Sequence, residues 1–125
     1  MNIDIVEAAL SNQAGEKVIA SVLPGKFGQA RLGTNSVGEQ VEVVTTTLDV
    51  LLSDIKKIAL MKLDVEGNEI LALSGAGKAL SKIDVVIFEA WNPRTDATNF
   101  LIDQGFQIKA LDSMNKIAIK NKSAS

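Results

Sequence analysis

Two short, nearly continuous apolar runs, residues 58–65 and 83–90, flank a stretch of helical spacing, and this trio constrains the fold more than any other feature of the chain. Only Lys62 and Asp64 interrupt the first run. Runs of this length and composition suit strands covered on both faces, as in parallel sheets. Between them Ile70, Leu73 and Leu80 recur at helical spacing over residues 68–80, although Gly75 and Gly77 weaken its second half. Parallel strands joined by a helix cross over right-handedly. The fold class is therefore α/β, with parallel strands at its centre.

The rest of the chain is consistent with that frame. Residues 96–104 form a helix, capped by Thr95 or Asp96 and stopped by Gly105 just past its end. Residues 106–111 and 116–120 alternate and read as an antiparallel hairpin around 112–115. Residues 121–125 are a polar tail. Upstream, residues 2–10 alternate loosely as a strand, and 11–15 form a turn. Residues 16–23 are β-like, and 24–38 hold four of the nine glycines and read as an irregular loop. Residues 41–47 are rich in β-branched side chains and form a strand. Residues 48–55 form a short amphipathic helix with Thr47 as its N-cap.

With 125 residues and a hydrophobic fraction of 46%, one domain with a packed core is expected. Thirteen basic against fifteen acidic residues give a net charge of −2, which provides no electrostatic pull toward nucleic acid or an anionic membrane. No stretch has the apolar length of a membrane span. Residues 1–5 lack the basic and apolar regions of a signal peptide, so the expected location is cytoplasmic. The chain has no Cys, His or Tyr. Thiolate nucleophiles, cysteine zinc sites and imidazole bases are excluded. Any acid, base or metal chemistry falls to carboxylates, lysines, hydroxyls and backbone groups.

In open parallel sheets ligands bind beyond the carboxyl ends of the strands. That rule selects Asp64, Glu66, Gly67 and Asn68 after the first run, and Glu89, Trp91 and Asn92 after the second. Leu60, Lys62, Asp64 and Glu66 share one face of the first strand. A charge inside a covered strand is unfavourable unless paired. Lys62 is thus expected to pair with Asp64 or, across the strands, with Glu89. Such a pair either serves a site or simply orients the strand end. Asp64 also has a plain reading as a helix-capping residue, and Glu69 suits the first turn of the helix by its charge. Asp64, Glu66 and Glu89 together have the oxygen ligands a divalent cation takes, but no metal is assigned. Gly75-Ala76-Gly77 follows a helix and has Leu80 where a third glycine belongs, so it is no dinucleotide motif. Trp91 either packs on its loop or stacks on a ligand at the rim.

Three blocks resemble a known family: Thr46-Thr47-Leu48-Asp49, Met61 to Glu69 (MKLDVEGNE), and Leu73-Ser74-Gly75-Ala76. They are similar to the FkbM-type methyltransferases, with a Thr-Leu-Asp segment, a Lys-Ile-Asp-Val-Glu-Gly-x-Glu strand end and a Leu-x-Gly-Ala helix. The resemblance implies a class I, Rossmann-like fold that uses S-adenosylmethionine, usually to methylate a hydroxyl oxygen of a small-molecule acceptor. It implies catalytic roles for Lys62, Asp64 and Glu66, and an acceptor pocket bordered by Glu89, Trp91 and Asn92. The Gly-rich turn and ribose-binding acid of that family are not matched, so no cofactor-binding residue is assigned. Residues 1–125 then correspond to the carboxyl half of such a domain, expected to be inactive or partner-dependent alone. The other reading is a non-catalytic binding or assembly module derived from a methyltransferase. An open edge on the strand at 58–65 is expected to be filled by the strand at 2–10, by a second copy of the chain, or by a separate amino-terminal half.

Overall fold

The computed structural model describes residues 2–22, 31–32, 39–65, 67–90 and 97–122. Its strands and helices assign the chain to the α/β class, and they form two four-stranded sheets rather than one.

The first sheet has the order β1-β4-β2-β3. It contains β1 (Ala9–Leu10), β2 (Lys17–Val22), β3 (Arg31–Leu32) and β4 (Glu39–Thr46). β2 pairs antiparallel with β4 along the whole of β2, as the β-branched run of β4 favours. The strand expected over 2–10 is only its last two residues, and they pair parallel to β4. This corrects the expectation that it fills the place beside the strand at 58–65. The register of Leu10 with Thr46 commits it to the first sheet. Within the expected loop at 24–38, β3 is a short strand against β2. The remainder of that loop lies outside the described residues.

The helix α1 (Leu48–Leu51) connects the sheets. It is shorter than the 48–55 expected, and Thr47 caps it as anticipated, its side chain accepting from the Val50 N–H at 3.1 Å. The second sheet follows in the order β5-β6-β8-β7. It consists of β5 (Ile58–Leu63), β6 (Ile83–Glu89), β7 (Phe106–Ala110) and β8 (Asn115–Lys120). β5 and β6 are parallel, whereas β6–β8 and β7–β8 are antiparallel. The hairpin predicted from alternation is present, with its second strand inserted beside β6.

Two sequence expectations need correction here. The run at 58–65 is not covered on both faces and is not central. Among the described residues β5 has a partner on one side only, and most of its own residues are exposed or half-buried. β6, the true central strand, is far better buried. Continuous apolarity thus marks burial in β6 but an uncovered edge in β5. The helix expected over 68–80 is broken. α2 (Glu69–Ser74) ends at Gly75, and a separate 3-10 turn spans Ala79–Lys82. Ser74 contributes to the break by turning its hydroxyl back onto the Ile70 carbonyl at 2.7 Å. The last helix, α3 (Thr98–Asp103), is followed by Gly105 at φ +93°, the left-handed stop expected of it. Its expected caps, Thr95 and Asp96, lie outside the described residues.

The core is built from Leu63, Leu73, Ile83, Val86, Phe88, Leu101, Phe106 and Ala118, with Leu48 joining from α1. Lys120 covers its lower end. Its ammonium lies 5.3 Å from the centre of the Phe106 ring and donates to the Leu80 carbonyl. Partial burial holds its pKa below the ordinary lysine value. Among the described residues no helix is long and apolar enough to cross a membrane.

Candidate functional site

Parallel pairing of β5 with β6 brings both carboxyl ends to one rim, as the sequence rule required. Leu63 stands in register with Phe88, and both are almost fully buried, at 2% and 1% exposure. They form the floor. Above them lies a cavity of about 240 Å³ lined by Lys62, Leu63, Asp64, Phe88, Glu89, Met114 and Asn115. Lys62, Asp64 and Glu89 are therefore brought together as foreseen. Gly67, at φ +94°, turns the chain from the end of β5 into α2, a conformation that L side chains rarely adopt. The Asn68 N–H closes this turn on the Val65 carbonyl at 3.2 Å. Glu69 opens α2 and is buried there, in keeping with its structural reading.

The expected ion pair at Lys62 is corrected. Lys62 and Asp64 are both exposed, so Lys62 carries no desolvation penalty that demands a partner. Ion pairs form instead between Lys17 and Glu42 at 3.9 Å and between Lys57 and Asp84 at 3.6 Å, all on exposed side chains. Exposure follows from the edge position of β5, which places the ammonium in solvent at the mouth of the cavity. Glu66, Trp91 and Asn92 lie outside the described residues. No group of three or more potential metal ligands occurs among the described residues.

Sequence reasoning missed Met114 and Asn115, which complete the rim. The signal was present in the hairpin. β8 runs antiparallel to β6, so its first residue must lie beside the last residue of β6. Asn115 indeed registers with Glu89, and the Ala90 N–H donates to the Met114 carbonyl at 2.7 Å. The Asp112 carboxylate fixes this turn by accepting from the backbone N–H groups of Met114 and Asn115, each at 2.8 Å, and from the Asn115 side-chain amide at 3.2 Å. The Met114 backbone donor is the main cause holding its carboxyl below the ordinary value, with the Asn115 side-chain and backbone donors adding to it.

That depressed value has a sign. A carboxylate held low in the folded state contributes stability above its unfolded pKa, and that contribution disappears as the pH falls through the folded pKa. The Met114 and Asn115 amide resonances are therefore expected to titrate with a midpoint below the ordinary carboxylate value of 3.8. In Asp112→Ala they should be displaced at every pH. NMR titration of the two amides checks both points.

The arrangement is that of an α/β domain with a polar pocket at the carboxyl ends of two parallel strands, floored by apolar side chains and rimmed by a cation, two carboxylates and an amide. The family model described as the methyltransferase FkbM domain matches residues 3–112, and the chain belongs to that family. Searches of curated proteins and of solved structures return no significant match.

Proposed function

We propose that the chain carries the acceptor side of an S-adenosylmethionine-dependent methyl transfer to a hydroxyl oxygen of a small molecule. The observation that carries this reading is the rim cavity in a chain of the FkbM family, built from Lys62, Asp64 and Glu89. A hydroxyl acceptor must lose its proton as it is methylated. With no His, Cys or Tyr in the chain, the rim carboxylates are the bases within the cavity, and the Lys62 ammonium balances the charge that develops on oxygen. Asn115 and the backbone around Met114 orient the acceptor. Leu63 and Phe88 exclude water from beneath it.

The cofactor belongs to this reading through the family, and its fit to the described residues is partial. A cavity of about 240 Å³ is smaller than the roughly 300–1,000 Å³ usual for sites that enclose a whole ligand. Its size suits the reacting end of an acceptor. Lys62, Asp64 and Glu89 are accordingly assigned to the acceptor and none to the cofactor.

Titration calorimetry tests this division. The 125-residue chain is expected to give no heat with S-adenosylmethionine at micromolar concentration. Tight binding would refute the assignment of these residues to the acceptor alone. When the chain is assayed with a partner or longer form that does bind the cofactor, Asp64→Asn should lower kcat/KM for the hydroxyl acceptor by about 10²-fold, the usual contribution of a positioned base. Unchanged methylation by both Asp64→Asn and Glu89→Gln would leave the chain as an assembly module of methyltransferase descent.

A further inference from the structure

Leu63 stands in register with Phe88, so the next residues, Asp64 and Glu89, follow side by side, and Glu89 registers in turn with Asn115. Three oxygen-bearing side chains thus cross the rim in a row, on three adjacent strands about 4.8 Å apart. All three line the rim cavity together with Lys62, so carboxylates outnumber cations in the lining. The direction of the Asn115 amide is set by Asp112. Its nitrogen lies 3.2 Å from each oxygen of the Asp112 carboxylate. A carboxylate only accepts, so the amide must turn its NH2 to Asp112. The oxygen, on the other branch of the amide, is the part left for the cavity. The row then presents Asp64, Glu89 and an amide oxygen, acceptors throughout.

We propose that the acceptor at this rim carries a protonated amine beside its hydroxyl, that Glu89 and the Asn115 oxygen hold the ammonium, and that Asp112 is the positioning residue that keeps this oxygen toward the ligand. The inference rests on the acceptor reading of the rim and names the class of small molecule it takes, an amino alcohol. Two separate properties of the lining select it. The first is hydrogen-bond polarity. An ammonium donates three hydrogen bonds and accepts none, the complement of a row of acceptors, whereas a hydroxyl in the same place has one donor only. The second is charge. One ammonium, that of Lys62, stands against two carboxylates, and a cationic ligand makes up the difference. Lys62 and Asp64 share one face at the end of β5 and serve the hydroxyl. Glu89 and Asn115, a cross-strand pair of β6 and β8, serve the amine. A hydroxyl and an amine on neighbouring carbons put one group at each side of the row.

Amide-detected NMR titration of the 125-residue chain tests the proposal with no cofactor and no methyl transfer. The probes are trans-2-aminocyclohexanol, protonated at neutral pH, and trans-1,2-cyclohexanediol, its neutral counterpart on the same ring. The amino alcohol is expected to move the Asp64 and Glu89 backbone amides and the Asn115 side-chain amide. It should bind about tenfold tighter than the diol, the usual gain when a hydrogen bond becomes charge-assisted. The backbone amide of Glu42, an exposed acid of the first sheet, reports attraction to any surface carboxylate and should stay still. Glu89→Gln should abolish the preference. Asp112→Ala frees the Asn115 amide to flip and should bring the two probes close to equal affinity. Asp112→Asn keeps an oxygen for the Asn115 nitrogen and should restore most of the difference. The proposal is overturned if the diol binds as tightly as the amino alcohol, if Asp112→Ala weakens both probes alike, or if neither probe moves the rim. The expected preference, found together with methylation indifferent to Asp64→Asn and Glu89→Gln, would remove the methyl-transfer reading and leave the ligand class standing.

Discussion

Replacing Gly75 by alanine should destabilise the fold by about 2–3 kcal/mol, the upper range for forcing a methyl into a packed position. The reason is where the methyl would go. A Cβ on Gly75 would sit 2.5 Å from the backbone oxygen of Ser11, and 3.1 and 3.2 Å from Cβ and Cγ2 of Thr47. The first of these is a backbone atom in a held segment. The Ser11 N–H donates to the Thr46 carbonyl at 2.9 Å, continuing the alignment of β1 against β4. Relieving the clash therefore means pulling β1 away from β4 or pushing α2 off the core that Ala72 and Leu73 occupy. Valine at position 75 should be worse than alanine, because its branches meet Thr47 as well. Urea denaturation checks this. The midpoint should fall with the slope unchanged if the damage is confined to the native state. Gly75 has an ordinary negative φ of −89°, so restoring space rather than glycine itself should rescue the variant. Gly67 and Gly105 are the contrasting case, with open space around them and positive φ, where strain rather than collision resists substitution.

Asp49→Ala should cost about 2 kcal/mol, in the range for losing hydrogen bonds to a charged group at a partly exposed position. The Asp49 carboxylate reaches across the fold. Its Oδ1 accepts from the Lys78 N–H at 2.9 Å and the Ala79 N–H at 2.7 Å, and so serves as the cap for the 3-10 turn at Ala79–Lys82. The Asp49 N–H in turn donates to the Gly75 carbonyl at 3.0 Å. One residue of α1 thus fastens the 76–79 turn from both sides. Asparagine retains the acceptor oxygen without the charge and should recover roughly half of the loss. Thermal unfolding of the alanine and asparagine variants, side by side, distinguishes the lost acceptor from the lost charge.

These two sites also explain which parts of the chain were legible as sequence. The blocks around Asp49 and Gly75 carried the family resemblance, and their structural roles are mutual: each holds the other. That relation is not visible in either block alone, since Asp49 and Gly75 lie 26 positions apart. The strand-end rim was legible because parallel pairing obliges β5 and β6 to end on the same side, so Lys62, Asp64 and Glu89 could be assembled without coordinates. Met114 and Asn115 escaped because the sequence announces a hairpin but not which strand it joins. Their place at the rim follows only once β8 is known to pair with β6. The reading of β5 as a doubly covered strand failed for a different reason. Apolar side chains at an uncovered edge and in a buried centre look alike in one dimension. The charges within the run, Lys62 and Asp64, were the better guide, for both lie in solvent. The long helix over 68–80 failed at a glycine whose importance is spatial, since Gly75 is required by the approach of Ser11.

The division of strands between two sheets has a consequence for how the chain acquires its structure. Every strand of the first sheet comes from residues 9–46 and every strand of the second from residues 58–120. Among the described residues no strand is exchanged between them, so the pairings within each sheet are local to its own stretch of sequence. Among the contacts that join the halves are α1, the Asp49 carboxylate, the close passage of Gly75 beneath Ser11 and the packing of Leu10 on the core. The buried apolar core begins at Leu48, and Leu10 of the first sheet packs against it, so the first sheet draws on the second for apolar burial. The short Thr-Leu-Asp segment, conspicuous in the sequence as a family mark, then acts as a fastening between the two sheets.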